Sequence, residues 1–348
     1  MQLIAPRPGA EAAARTARPR LGFVGLGWIG QHRMRAIAGA GVADIIALAD
    51  PDPAARIAAS EAAPEAAHLA TLEEVLALDP DGVVIATPSA LHAAQTIAAL
   101  KAGAAVFCQK PLGRNAGEAA AAVEAARRAD RLLAVDLSYR QTAAIRAIRE
   151  WIAAGELGEV FAADLTFHNA YGPDKPWFYD LAQAGGGCVM DLGVHLLDLA
   201  LDLLGNPAVA SVSADLWAQG QRLGPGTPLP EDHAMATVTL ANGAVLRLNC
   251  SWRLHLGADA LIACDLHGTE GGASMHNEGG SFYDFSARLH RGTQTLAHIP
   301  PPDDWGGRMA VDWVQRLATS RAFDAEAERL VPLAEVLDAI YASAGVRR

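Results

Sequence analysis

At 348 residues the chain is longer than one ordinary core, so about two domains are expected. Hydrophobic residues make up 51% and charged residues 19%, which excludes a chain disordered throughout. The net charge of −11 repels phosphate backbones and excludes non-specific nucleic-acid binding.

Residues 1–20 carry Arg and Pro where a signal peptide needs an uninterrupted apolar core, and read as a frayed tail. No run approaches about 18 consecutive apolar residues, so no membrane span is expected. Cys108, Cys188, Cys250 and Cys264 form no C-x-x-C pair, the usage of reduced, buried thiols in a cytoplasmic protein.

A short apolar strand at 21–24 runs into Gly25-x-Gly27-x-x-Gly30 and a helix carrying Ile29, Met34 and Ile37. Strand, glycine turn and helix form a phosphate site. Gly25 turns the chain, Gly27 lets a pyrophosphate reach the backbone, and Gly30 lets the helix lie close on the strand. The helix N-terminus adds free N–H groups and partial positive charge. A glycine triplet alone is weak evidence in a chain with 33 Gly, but Asp50 ends the next apolar strand, 44–49, where a carboxylate meets the adenosine ribose. That carboxylate accepts from a 2′-hydroxyl and repels a 2′-phosphate, so NAD is expected ahead of NADP. Arg56 stands against this, read either as a solvated helix charge or as phosphate capture.

Proline at 53 favours a helix over 54–63, and a short helix follows at 72–78. Apolar strands at 83–86, 104–108 and 132–137 alternate with helices ending at 100 and spanning 116–129. The alternation predicts an α/β fold with a mostly parallel sheet covered by helices on both faces. Ligands sit beyond the carboxyl ends of such strands, which is where Thr87, His92 and Lys110 lie. A lysine is by default solvated, yet Lys110 follows a buried strand and is pinned by Pro111. A fixed ammonium beside a nicotinamide would hold a substrate hydroxyl as it loses its proton.

Beyond Tyr139-Arg140 the pattern changes. A helix at 142–153 and a strand at 160–168 lead to an aromatic, proline-bounded segment, 171–179, then Gly185-Gly-Gly187 and a helix over 188–204. Strands follow at 210–217, 233–240, 245–251 and 261–266, with helices at 309–319 and 332–343. This order predicts a second domain of α+β type. Asp191 and His195, four apart, share one helix face. They read as an exposed acid–histidine pair, as a metal pair lacking further ligands at a recognisable spacing, or as a proton acceptor with its orienting carboxylate. Trp177 and Tyr179 read equally as a sugar-stacking surface or as packing. Arg140, Arg253 and His255 are weaker pocket candidates.

Together, the glycine turn with Asp50, Ala86-Thr-Pro-Ser-Ala-Leu-His92, Cys108-Gln-Lys-Pro-Leu112, Tyr139-Arg140 and Gly185-Gly-Gly-x-x-x-Asp191-x-x-x-His195 resemble the glucose-fructose oxidoreductase / inositol dehydrogenase / rhizopine catabolism family, Gfo/Idh/MocA. The resemblance runs from Leu21 onward. It implies a Rossmann domain over 21–139 and a C-terminal domain over 140–348 whose large open, mostly antiparallel sheet mediates a homodimer or homotetramer. It also implies NAD(P)-linked chemistry on sugars or cyclitols. Lys110 matches the family's catalytic lysine, Asp191 its aspartate and His195 its proton acceptor. The expected cofactor contacts are Gly25, Gly27, Trp28, Ile29, Gly30, Asp50, Thr87, Pro88, His92, Gln109, Lys110 and Arg140. Those to substrate are Lys110, Trp177, Tyr179, Asp191 and His195, and no metal is expected. Gln109 stands where the family most often has Glu, so Lys110 lacks a negative neighbour unless another group supplies it. Two further classes remain: glycoside cleavage by oxidation and elimination with NAD recycled, and a non-catalytic NAD sensor.

Overall fold

Apolar runs of four to six residues, too short for helices and flanked by Gly, Asp and Pro, bury both faces when they pair side by side. The computed structural model, which describes residues 18–346, shows six strands of three to six residues in one parallel sheet. They are β1 (Arg20–Val24), β2 (Asp44–Ala49), β3 (Ala67–Leu69), β4 (Gly82–Ile85), β5 (Ala105–Cys108) and β6 (Leu133–Val135), in the order β3-β2-β1-β4-β5-β6. Strand order reverses between β1 and β4, and the crevice there is where such sheets bind ligands. The tail expected over 1–20 lies outside the described residues up to 17, and Arg20 already belongs to β1.

Helices α1 (Trp28–Ala40), α2 (Pro53–Ala59), α3 (Leu72–Leu76), α4 (Ser89–Lys101) and α5 (Ala116–Ala129) connect these strands. The helix expected over 54–63 stops at Ala59, where the chain turns toward β3. β3 itself escapes the sequence pattern because it is three residues long.

A second sheet has nine strands, mixed but mainly antiparallel. They are β7 (Val160–Asn169), β8 (Val209–Ala218), β9 (Gln221–Arg222), β10 (His233–Leu240), β11 (Val245–Ser251), β12 (Ala260–Gly268), β13 (Gly272–Asn277), β14 (Phe285–Arg291) and β15 (Gln294–Ile299). Only β7 and β11 run parallel. One face packs under α6 (Ala143–Ala153), α8 (Val194–Leu203) and α10 (Leu330–Ser343), with the short α7 (Leu181–Ala184) ahead of the glycines. The other face is open and exposes Phe161, Met235 and Leu261. β9 is two residues long and β15 has no clear apolar alternation, whereas β13 and β14 do alternate, with Ala273 and Met275, then Phe285, Ala287 and Leu289, and the expectation of four later strands passes over them.

Beyond the last strand, α9 (Arg308–Thr319) does not stay with the second sheet. It packs on α1 and β5, burying Trp313, Val314 and Leu317 against Leu21, Phe23 and Phe107. Gly82 makes room for it, since a Cβ there would stand 2.7 Å from the Trp313 ring. α10 lies between α5 and β8, so one apolar cluster runs from Val83 and Ile85 through Leu337 to Leu216 and Leu248. The stretch Leu181–Leu203 is long and apolar enough to cross a membrane by composition, but 89% of its window is buried inside the protein, as in a core helix.

Candidate active site

The three glycines differ in what they permit. Gly25 has φ of +88°, and a Cβ there would come within 2.5 Å of the Ala86 main chain, so it sets both the turn and the contact between β1 and β4. A Cβ on Gly30 would lie 2.2 Å from the Gly25 oxygen, which closes α1 on the strand. Gly27 meets nothing within 4 Å and precedes α1 with no side-chain cap, leaving open space in front of the helix N–H groups. Asp50 joins this turn from the end of β2: Oδ2 accepts from the Leu26 N–H at 2.8 Å and Oδ1 from the Asp52 N–H at 2.9 Å. Arg56 is half-buried beside this carboxylate, its guanidinium donating to the Asp50 main-chain oxygen.

A cavity of about 970 Å³ opens from this turn and ends between the two sheets. Its walls include Gly25, Gly27, Trp28, Ile29 and Asp50, then Thr87, Pro88, Gln109 and Lys110, and finally Trp177, Asp191 and His195. Lys110 follows β5. The Lys110 Nζ donates to Asp191 Oδ1 at 2.7 Å and to the Asp191 main-chain oxygen at 2.7 Å.

The expected helix over 188–204 begins as a wide π-turn, Val189–Gly193, before α8. Such a turn loosens the i→i−4 ladder, and here Lys110 takes the main-chain oxygen of Asp191. Beneath the turn, buried Glu231 accepts from the N–H groups of Gly187 and Val189 and from the Tyr341 hydroxyl. The second carboxylate oxygen of Asp191 accepts from Trp252 Nε1 at 3.1 Å. Asp191 is therefore the negative neighbour that Gln109 does not provide for Lys110.

His195 lies on α8 with its ring centroid 4.9 Å from that of Tyr139. Its Nδ1 is shut off from solvent and has no hydrogen-bond partner among the described residues. Burial, then the charges of Lys110 and Arg33, hold the imidazole well below its ordinary value of 6.5. It is neutral at pH 7, the state a proton acceptor needs.

Several expected residues do other work. Arg140 does not line the cavity: it pairs with Asp198 through two nitrogens and with Asp202 at 3.1 Å, tying the turn after β6 to α8. His92 reaches the cavity wall, but both ring nitrogens are engaged, at 2.7 Å to the Pro111 oxygen and 2.7 Å to the Thr87 oxygen. It braces the loop from the cavity wall. Tyr179 is turned away, its hydroxyl on the Pro173 oxygen at 2.9 Å and Arg253 over its ring at 5.0 Å. Arg253 and His255 are outside the cavity lining. Trp177 stacks on Phe178 with centroids 3.8 Å apart, and both line the cavity, as do Tyr283 and Trp305. Among the described residues no group of three or more His, Cys, Asp or Glu could hold a metal ion.

Arg33, Asp136, Trp252 and Trp305 escape the sequence pattern and also belong to this region. Asp136 carried a signal, a lone acid inside the apolar run 132–137. Arg33 carried none beyond its helix.

A family model for an oxidoreductase family with an NAD-binding Rossmann fold, GFO/IDH/MocA, matches residues 19–137, and its GFO/IDH/MocA C-terminal domain model matches 145–274. D-glucoside 3-dehydrogenase of Escherichia coli (strain K12) is 30% identical over 58% of this chain and 60% of its own length. The chain thus spans less than two thirds of the first curated relatives it matches. A putative UDP-kanosamine synthase oxidoreductase subunit of Amycolatopsis mediterranei (strain S699) is 30% identical over 94% of the chain and 97% of that protein. Among solved structures, levoglucosan dehydrogenase in complex with NADH and L-sorbose shares the fold with a TM-score of 0.81 at 24% identity, covering 94% of this chain and 97% of that one.

Proposed function

The chain belongs to the GFO/IDH/MocA oxidoreductases, and on that premise we propose that it transfers a hydride between NAD and a hydroxyl-bearing carbon of a sugar, sugar derivative or cyclitol. One observation carries this reading: Lys110, just after β5 of the first sheet, and Asp191 with His195, on the π-turn and α8 that pack on the second, face the same cavity as the glycine turn. Residues 21–139 hold the cofactor and 140–348 the substrate, except that α9 returns to the first sheet.

The residues present fit a dinucleotide. The open front of Gly27 and the free N–H groups of α1 suit a pyrophosphate, and the Asp50 carboxylate suits ribose hydroxyls. When bound, NAD supplies the hydride acceptor. Lys110 donates to the reacting hydroxyl oxygen and favours its alkoxide character, while Asp191 fixes the ammonium from two sides. His195 takes the hydroxyl proton on Nε2, since Nδ1 is buried. Trp177, Phe178, Tyr283 and Trp305 give the cavity an aromatic wall suited to the C–H faces of a pyranose or cyclitol ring. The open sheet face with Phe161, Met235 and Leu261 suits a second copy of the chain.

The test is purified protein with NAD against sugars, sugar acids, inositols and glycosides, read by NADH absorbance and product analysis. NADH rising in step with an oxidised product is expected. Aglycone released without net NADH would replace this reading with oxidation–elimination, and bound NAD with no turnover on the whole panel would replace it with a sensor.

A further inference from the structure

In the register of the first sheet Cys108 of β5 pairs with Val135 of β6, so the next residues, Gln109 and Asp136, stand side by side at the strand ends. Both are buried, Gln109 at 7% and Asp136 at 2% exposure, and α1 delivers Arg33 to them at 6%. Asp136 Oδ2 accepts from Arg33 Nε at 2.6 Å and from the Gln109 amide, and Oδ1 accepts from the Ser138 hydroxyl. Arg33 closes the ring with 2.9 Å contacts to Ser138 Oγ and His32 Nδ1. The network holds one carboxylate and one guanidinium, and a buried site tolerates such a pair only when their hydrogen bonds are satisfied. Gln109 and Arg33, like Asp136 and Ser138, also line the cavity, and among the described residues no group donates to the Gln109 amide oxygen.

We propose that Asp136 is a positioning residue of the cofactor site: held by Arg33, it grips the Gln109 amide and turns a neutral carbonyl oxygen toward the nicotinamide end of the cavity. The site accepts a single carboxylate, at 136 or at 109 but not at both. A glutamate at 109 beside Asp136 sets two anions against one guanidinium and loses the N–H donor. This accounts for glutamine at a position where the resemblance calls for glutamate. The proposal rests on the NAD reading for its functional half and on the network alone for its structural half.

The experiment is a cycle of Gln109→Glu, Asp136→Asn and the double variant, read by melting temperature without ligand and by the dissociation constants of NAD⁺ and NADH. Each single change lowers the melting temperature by roughly 3 °C or more, and the double variant recovers most of that loss because one carboxylate and one amide are again present. In the double variant the carboxylate faces the cavity and favours the cationic nicotinamide of NAD⁺. The ratio of NADH to NAD⁺ dissociation constants therefore rises by about threefold or more, a shift that a purely structural role does not produce. Losses that simply add in the double variant overturn the one-carboxylate network. A recovered melting temperature with an unchanged ratio overturns the positioning role. Neither measurement needs turnover, so a protein inactive on every sugar defeats the dehydrogenase reading without touching this one.

Discussion

Lys110 and Asp191, 81 residues apart, meet with the ammonium 2.7 Å from both a carboxylate oxygen and a main-chain oxygen of the same residue. The contact joins the end of β5 to the π-turn before α8 and so fixes one sheet's ligand edge against the other's. Because the main-chain oxygen takes part, the lysine reads the helix backbone as well as a side chain. Changing Asp191 to Asn keeps the shape and removes the charge. Stability is expected to fall by about 1–3 kcal/mol and turnover by about 10²-fold, since a misplaced ammonium no longer meets the reacting oxygen. Steady-state rates with a denaturation curve check this, and wild-type turnover in Asp191→Asn would remove Asp191 from the mechanism.

The imidazole of His195 gives a prediction with a sign. Its burial and the Lys110 and Arg33 charges disfavour the imidazolium, so the ring stays neutral until the pH falls well under 6.5. With His195 as the proposed base, oxidation needs the neutral ring, so activity is expected to be full above 6.5 and to be lost only as pH falls through the lowered value. The acid limb of kcat/KM is expected below 6.5, and His195→Ala is expected to lower turnover by about 10²–10⁴-fold with NAD binding intact. An acid limb at or above 6.5 contradicts the assignment.

Arg140 separates a structural from a ligand-binding arginine. Its guanidinium faces Asp198, which is buried, and Asp202 one turn along α8. Arg140→Ala leaves a buried carboxylate unpaired and is expected to cost about 3 kcal/mol of stability, while the NAD dissociation constant stays within about twofold of wild type. A large loss of NAD affinity in a folded variant would return Arg140 to the cofactor site.

These residues mark what a sequence reader can reach. The first sheet is legible because buried parallel strands are apolar runs with turn residues at their ends, and Ala116–Ala129 matches its expected bounds because Asn115 caps it. β13 and β14 carry the every-second-residue pattern of a sheet open on one face, Ala273 and Met275, then Phe285, Ala287 and Leu289, so they are within reach of the sequence, whereas β9 is two residues long and β15 shows no such pattern. Lys110, Asp191 and His195 stand out because each follows a strand end or a glycine turn. Arg140 stands out for the same reason and is misread, since its carboxylate partners lie 58 and 62 residues away on a helix whose orientation no local pattern reveals. The Arg33–Asp136–Gln109 network is hidden because it depends on the pairing of β5 with β6 and on where α1 crosses them.

Gly27 and Gly25 offer the sharpest separation of folding from binding. Gly25 has φ of +88° and its added Cβ would strike the Ala86 main chain at 2.5 Å, so Gly25→Ala is strained in conformation and in space. A loss of roughly 1–3 kcal/mol of stability is expected before any ligand is considered. Gly27→Ala adds its methyl to empty space, with no atom within 4 Å, so the free protein should melt as wild type does. The same methyl occupies the approach a pyrophosphate needs, and NAD affinity is expected to fall by about tenfold or more. Calorimetric melting beside NAD titration of the two variants reads both effects, and a Gly27→Ala protein that binds NAD normally would mean that the phosphates lie elsewhere than on the N-terminus of α1.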